Sequence, residues 1–183
     1  MYDLIEMETQ GQPQIYYASL PFQDWSFSYF YTDKGLVFTT FQADALDAFD
    51  KRFDKAGVPL LQSNTAADQQ FSAYFAGRQT KIDLSIDWHF LSLSDFSRQV
   101  LKVLQTVTHR ISYSELADRV GKAKAVRAVA SAVGKNPVEV VIACHRIVRQ
   151  SGELGQYRDG VIIKRALLEL EGQVGQTASR KNY

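Results

Sequence analysis

A cysteine followed directly by a histidine and an arginine is the most reactive combination in this chain. Cys144, His145 and Arg146 interrupt an apolar stretch, and Cys144 is the only cysteine among the 183 residues. A thiol attacks only as the thiolate, and an unperturbed pKa of about 8.5 leaves a few per cent ionised at neutral pH. A histidine that takes the proton and an arginine that stabilises the anion raise that fraction. The triplet therefore indicates a nucleophilic cysteine, with Glu171 as a candidate carboxylate to orient the imidazole.

An inert, buried thiol at the end of a strand is the competing interpretation. Free cysteine is among the most buried residue types, and a Cys-His pair without context is more often structural. The segments that precede Cys144 therefore decide between the two interpretations.

Two short helices with a glycine between them precede the triplet. Ser112 and Glu115 have the spacing of a capping box, and the helix that they begin ends at Gly121. A second helix is predicted over 123–133, with valines on one face. This arrangement is typical of a helix-turn-helix.

The second of these helices has a surface suited to a groove. Its five alanines allow close approach to another molecule, and Lys124, Arg127 and Ser131 lie opposite the valines. Good helix propensity explains the alanines equally well, and a solvated face explains the charges.

The remaining pattern predicts an α+β chain of two parts, 1–88 and 89–183. The first part has three aromatic-rich strands, then helices and a possible fourth strand, and the second part is mainly helical. The predicted strands are 15–17, 25–31, 36–41, 81–88 and 138–142, and the other predicted helices are 42–55, 65–76, 95–106 and 161–171.

Charge divides the chain in the same way. Residues 1–88 hold 6 Lys+Arg and 12 Asp+Glu, a sum of −6, whereas residues 89–183 hold 15 and 8, a sum of +7. The basic part favours contact with a polyanion, although clustering by chance is an equal alternative. A lone cysteine excludes an internal disulfide, and no apolar run reaches membrane-spanning length. We expect a cytoplasmic protein without a membrane contact.

Six short blocks, in order and at the right spacing over about 95–172, resemble the O6-alkylguanine-DNA alkyltransferase family. Together they are far more specific than any one motif. They are Ile111 to Ala117, Arg127-Ala128-Val129, Gly134 to Pro137, Cys144-His145-Arg146, Gly152 through Gly155-Gln156-Tyr157, and Glu171-Gly172.

The resemblance implies a fold and an activity. The fold would be a ribonuclease-H-like α/β domain followed by a winged-helix-like domain that contains the helix-turn-helix. The activity would be suicidal repair, in which an alkyl group leaves O6-alkylguanine, or O4-alkylthymine, in double-stranded DNA for Cys144. We expect a monomer that needs no cofactor. We also expect no metal, because the zinc ligands that some relatives carry are absent from the first part.

The resemblance also implies roles at the cysteine. Cys144 would attack the alkyl carbon, His145 would take the thiol proton through a water, and Glu171 would hold the imidazole in the useful tautomer. Asn136 would order the turn that carries the nucleophile. Tyr113 would lie beside the extruded base and either press on the phosphate of the flipped nucleotide or donate a hydrogen bond to guanine N3.

Other residues would bind DNA or the flipped base. Arg127 would fill the gap that the base leaves in the minor groove. The carbonyls of Cys144 and Ile147 would accept from the guanine amine, and the backbone N–H of Arg158 would donate to O6. The same resemblance places four further residues on DNA or substrate, namely Lys124, Ser131, Arg146 and Tyr157.

Two departures from the family pattern concern the site. Ala143 stands where a proline is usual, which predicts a looser turn before the nucleophile. Arg158 and Asp159 replace small residues, which leaves the accepted alkyl size open.

Three other functions remain as alternatives. A sensor would bind the flipped lesion without reacting, and its cysteine would be missing or disabled. A sequence-specific regulator would carry Asn, Gln and Arg on its recognition helix, and 122–133 lacks that composition. A Cys-His hydrolase would need an oxyanion hole, which no motif in the sequence marks.

Overall fold

The computed structural model describes residues 11–54 and 56–172. Strands dominate before residue 62 and helices dominate afterwards, in a mixed α/β arrangement. The strands are β1 (Tyr16–Phe22), β2 (Trp25–Thr32), β3 (Gly35–Thr40), β4 (Leu60–Leu61), β5 (Ile111–Ser112) and β6 (Ile147–Val148). The helices are α1 (Ala45–Arg52), α2 (Thr65–Phe75), α3 (Asp95–Gln105), α4 (Tyr113–Arg119), α5 (Val126–Gly134) and α6 (Val161–Leu170).

The N-terminal sheet has the strand order β3-β2-β1-β4. β1, β2 and β3 form an antiparallel meander, and β4 pairs parallel with β1. Helices α1 and α2 bury Phe49 and Phe71 completely, and Phe49 stacks on Phe30 of β2 with 4.6 Å between the ring centroids. Aromatic side chains therefore fill the space between sheet and helices.

The C-terminal helices begin where the sequence predicts. Ser94 caps α3 by accepting from the backbone N–H of Ser97. The predicted capping box at α4 is confirmed, since Ser112 accepts from the N–H of Glu115 and the Glu115 carboxylate accepts from the N–H of Ser112. Gly121 turns the chain between α4 and α5 with φ +74°. The pairing of β5 with β6 then brings the start of α4 next to the residues that follow Cys144.

Two predicted strands, 81–88 and 138–142, are wrong. Only Ile86 of the first forms a bridge, with Leu36. The second is a loop closed around the side chain of Asn136, which accepts from the N–H of Val138 at 3.0 Å and donates to the carbonyl of Ile142 at 2.8 Å. An apolar run predicts a strand, but here a side chain satisfies the backbone groups that a neighbouring strand would otherwise bind.

Hydrogen bonds join the end of β3 to the loop before Cys144. The N–H of Thr39 donates to the carbonyl of Pro137 at 3.0 Å, and its hydroxyl donates to the carbonyl of Glu139 at 2.9 Å. The carboxylate of Asp159 accepts from the N–H of Phe41 at 2.6 Å. The N-terminal sheet therefore supports the loop that carries the nucleophile. No helix in the described part of the chain is long and apolar enough to cross a membrane.

Candidate active site

Cys144 is the first residue of a 3-10 turn, Cys144–Arg146, which leads into β6. Its N–H donates to the carbonyl of Ile142 at 2.7 Å, and its Sγ accepts from the Asn136 side-chain amide at 3.1 Å. The Asn136 side chain thus contacts both the loop and the sulfur, at the turn that the family resemblance implies it orders. The side chain of Cys144 is buried, with only 7% of the residue exposed.

The resting thiol is protonated. Burial is the largest cause that raises the pKa of Cys144, to about 12, and the nearby carboxyl of Glu139 raises it further. The hydrogen bond from Asn136 and the positive charges of Arg158 and Lys164 act in the opposite direction. Because the thiolate is scarce at rest, a reaction at this sulfur needs a base.

The carboxylate of Glu171 lies at the centre of a buried cluster. Its Oε1 accepts from Tyr74 at 2.6 Å, from His145 Nε2 at 2.8 Å and from Arg146 Nη2 at 2.9 Å. Burial raises the pKa of Glu171, but the hydrogen bonds and charges of His145 and Arg146 outweigh burial and lower this pKa to about 2. The group is therefore a carboxylate that only accepts hydrogen bonds.

His145 is a neutral imidazole with one nitrogen available. Burial lowers its pKa, and the contact with Glu171 opposes that effect. Since Nε2 donates to Glu171, Nδ1 carries the lone pair, and Nδ1 has no hydrogen-bond partner within residues 11–54 and 56–172. A neutral imidazole oriented by a carboxylate is suited to accept a proton.

Arg146 lies inside the protein, in contrast to the expected contact with DNA or substrate. Its Nε donates to Glu171 Oε2 at 3.0 Å, Nη2 donates to the carbonyl of Thr80 at 2.7 Å, and Nη1 donates to the carbonyl of Val107. Only 5% of the residue is exposed. The guanidinium therefore pairs with Glu171 and ties together three segments of the chain.

A cavity of about 410 Å³ opens beside the sulfur. Five of the residues predicted for the site line it, together with residues of α5 and with Glu139. The five are Tyr113, Asn136, Cys144, Tyr157 and Arg158. Burial, and then the neighbouring Cys144, raises the pKa of Tyr113, so this phenol keeps its proton and is available as a donor.

The buried carboxyl of Glu139 lies next to the partly exposed guanidinium of Arg158 in the wall of this cavity. Glu139 Oε2 lies 3.3 Å from Arg158 Nη2, and burial, partly offset by Arg158, raises the pKa of Glu139 to about 8. Arg158 also donates to the carbonyls of Asn136 and Thr39, and its guanidinium lies over the ring of Phe38. The side chain of Arg158 thus supports the wall of the cavity, which Tyr157 also lines.

The remaining predicted residues lie outside the cavity. Arg127 and Ser131 are exposed on α5, and Lys124 is exposed in the 3-10 turn before it. Ile147 is fully buried, and its carbonyl accepts from Lys164 Nζ at 2.5 Å. No group of three or more His, Cys, Asp or Glu side chains that could hold a metal ion occurs in the part of the chain that the structure describes.

Sequence reasoning missed three buried residues of the site, Tyr74, Glu139 and Lys164. Glu139 and Lys164 carry a signal, because each is a charged residue within an apolar run. Tyr74 carries none, since an aromatic residue on the apolar face of a helix predicts a core position.

Sequence comparison identifies the family. A family model described as the DNA binding domain of 6-O-methylguanine DNA methyltransferase matches residues 95–173. The inducible methylated-DNA–protein-cysteine methyltransferase of Bacillus subtilis is 32% identical over 174 residues, which cover 90% of this chain and 94% of that protein. The corresponding protein of Mycobacterium bovis is 43% identical over 109 residues, and this match spans 58% of the chain and 64% of the relative.

Solved structures agree with the sequence comparison. The O6-methylguanine methyltransferase of Mycobacterium tuberculosis has a TM-score of 0.74 at 30% identity, over 90% of this chain and 99% of that one. The structure of Mycobacterium tuberculosis OGT in complex with DNA has a TM-score of 0.73 at 32% identity, over 85% and 92% of the two chains. The resemblance noted in the sequence is confirmed, and the chain belongs to the methylated-DNA–protein-cysteine methyltransferase family.

Proposed function

We propose that this protein repairs alkylated DNA by taking the alkyl group from guanine O6 onto Cys144, once per molecule. The observation that carries the proposal is the position of the Cys144 thiol. It lies in the wall of a base-sized cavity, next in sequence to an imidazole that a buried carboxylate orients. Membership of the family selects alkyl transfer among the reactions that a thiol and an imidazole support.

The reaction balances without a cofactor. The thiol proton passes through one water to His145 Nδ1, the sulfur attacks the alkyl carbon, and the bond between that carbon and O6 breaks. The electron pair of this bond leaves with guanine, which then takes up a proton. Tyr113 and Arg158 both line the cavity. In the proposed reaction the hydroxyl of Tyr113 and the backbone N–H of Arg158 donate to the base and stabilise the charge that develops on it. A thioether does not return to a thiol, so the protein acts once.

The partner in this proposal is double-stranded DNA that contains O6-alkylguanine, or O4-alkylthymine. α5 enters the minor groove, Arg127 fills the gap left by the flipped nucleotide, and Lys124 and Ser131 contact the backbone. These three side chains are exposed, on the part of the chain whose charges sum to +7, and α5 also supplies Ala130, Val133 and Gly134 to the lining of the cavity. Binding through phosphates and groove shape suits damage that can occur in any sequence.

We also infer the finer description of the fold. The order β3-β2-β1-β4 with β4 parallel to β1 supports a ribonuclease-H-like domain over 1–88. Helices α3 to α5 with the β5–β6 pair support a winged-helix-like domain over 89–183. A monomer in the cytoplasm, where a single reduced thiol persists, completes the proposal.

Methyl transfer can be tested directly by mass. The protein is incubated with a duplex that contains one O6-methylguanine, and intact mass and a peptide map are recorded. We expect one added methyl on Cys144, one equivalent per protein and no turnover, and no added methyl in Cys144→Ser. Tight binding of the lesion without a mass change would instead identify a sensor.

Arg127→Ala separates base flipping from chemistry in the same assay. The variant should lose reaction with the duplex far more than reaction with free O6-benzylguanine, because only the duplex requires a flipped base. Equal losses on the two substrates would contradict the role of Arg127.

A further inference from the structure

One side chain of α2, in the N-terminal part of the chain, contacts the buried cluster around the Glu171 carboxylate. The Tyr74 hydroxyl donates to Glu171 Oε1 at 2.6 Å and lies 3.4 Å from His145 Nε2. Only 1% of Tyr74 is exposed. This contact joins residues that are 97 and 71 positions apart in sequence.

The single proton of this hydroxyl restricts the proton on His145. Because the Tyr74 proton points to Glu171, the hydroxyl oxygen presents a lone pair to His145 Nε2. The carboxylate of Glu171 also presents a lone pair to this nitrogen. Nε2 therefore faces two acceptors and must carry the hydrogen, which leaves the lone pair on Nδ1.

We propose that Tyr74 is a positioning residue for alkyl transfer, whose hydroxyl holds the His145–Glu171 pair in the tautomer that has Nδ1 as the base. The inference rests on the function proposed above. The N-terminal part then contributes an atom to the arrangement of the site, in addition to packing against it.

The charges around His145 are consistent with this role. Glu171 favours a proton on the imidazole, whereas Arg146 and Lys164 disfavour a positive charge there. A neutral ring has two tautomers, and the Glu171 carboxylate and the Tyr74 hydroxyl both favour the one with the hydrogen on Nε2. Arg146 donates to the same carboxylate oxygen, so the carboxylate stays in place in Tyr74→Phe, and the change at Nε2 is the loss of the second acceptor.

The test is Tyr74→Phe, which removes the hydroxyl and keeps the ring that packs edge-on against Phe75. The single-turnover rate of methyl transfer should fall about tenfold, the factor expected for one hydrogen bond to a charged group. The ¹⁵N NMR shifts of the His145 ring should show a single Nε2–H tautomer in the wild type and a mixture of tautomers in the variant. Loss of a hydroxyl with a purely structural role would not change these shifts.

Tyr29→Phe is the matched control. Tyr29 is also fully buried, and its hydroxyl donates to Asp68 of the same helix at 2.7 Å, away from His145. We expect this control to lose stability as Tyr74→Phe does, while its transfer rate and the His145 shifts remain those of the wild type.

Three outcomes would overturn the inference about Tyr74. They are a wild-type rate in Tyr74→Phe, an unchanged tautomer despite a slower rate, and an equal loss of rate in Tyr29→Phe. The proposed function fails separately, if the wild-type protein itself gains no methyl group, and the NMR shifts still test the contact in that case.

Discussion

The two parts of the molecule bury different kinds of side chain. The core before residue 89 is largely aromatic, and of the buried side chains described there only Asp87 carries a charge. The described core after residue 89 is mainly aliphatic, and it contains several buried ionisable side chains besides Cys144. Among them are Glu139, His145, Arg146, Lys164 and Glu171.

This difference separates support from chemistry. A fully buried large apolar side chain stabilises a fold by about 1.5–3 kcal/mol. A buried ion costs several kcal/mol unless it is paired and hydrogen-bonded. The aromatic core before residue 89 can therefore stabilise the part after residue 89, whose buried polar side chains we expect to serve the reaction.

The largest effect is expected from Glu171→Gln, at the centre of the buried cluster that Glu171 forms with Tyr74, His145 and Arg146. The variant leaves Arg146 without its counter-charge, so the free energy of unfolding at neutral pH should fall by about 3–5 kcal/mol. The methyl-transfer rate should fall about 100-fold or more, because His145 loses the carboxylate that orients it. Denaturant unfolding and single-turnover kinetics measure the two effects.

Acid provides a second measurement on the same variant. The pKa of Glu171 is lowered to about 2 in the folded protein, below the value of about 4.3 in an unfolded chain. Its stabilisation is therefore complete above pH ~4.3 and is lost as the pH falls towards 2. The stability difference between wild type and Glu171→Gln should shrink over that range, and a constant difference would contradict the ion pair.

Phe49→Ala tests the aromatic part. Phe49 is fully buried and stacks on Phe30, so the free energy of unfolding should fall by about 3–5 kcal/mol. The rate per folded molecule should stay unchanged, since the ring of Phe49 packs against other aromatic rings, those of Phe30, Phe38 and Phe53. A parallel loss of rate at a temperature where the variant is folded would show that the two parts are not separable in this way.

Glu139→Gln should change the pH dependence of the reaction. The pKa of Glu139 is raised to about 8, so this carboxyl is neutral below that pH and negative above it, where it raises the pKa of Cys144. Glutamine stays neutral throughout. The variant and wild type should react alike near pH 6.5, and the variant should react about threefold to tenfold faster near pH 9. Identical profiles would exclude an electrostatic effect of Glu139 on the sulfur.

The smallest effect is expected from Ala143→Pro. Ala143 has φ −75°, within the range that proline imposes, and Ile142 before it takes part in an isolated β-bridge with Glu139. The substitution should raise the free energy of unfolding by about 0.4–1 kcal/mol, because it restricts the unfolded chain. Thermal unfolding measures the gain, and a slower transfer rate would show that the turn differs from the one described.

The turn at Ala143 also shows what the sequence could and could not predict. The missing proline predicts a looser turn, yet Asn136 holds the loop at three points through Val138, Ile142 and Cys144. Capping residues, helix periodicity and the Cys-His-Glu set are local or follow from the family pattern, so they could be predicted. Tyr74 could not, because only the packing of α2 against the C-terminal part brings it to Glu171.

The strand predicted over 138–142 fails for a related reason. Strand propensity describes how a residue type behaves on average. A run of valine and isoleucine does not reveal that the side chain of a nearby asparagine will bond to the backbone groups of the run. Val140 adopts φ +74°, a conformation that is costly for a β-branched residue. The tertiary hydrogen bonds around Asn136 override the local preference.

The burial of Cys144 has a consequence for the lifetime of the unused protein. Oxidants and disulfides react with exposed thiolates, and this sulfur is neither exposed nor ionised at rest. In the proposed function each molecule can use this thiol only once, so any side reaction of the thiol would waste the molecule. The burial that makes Cys144 slow without a substrate would then also protect the molecules that have not yet reacted.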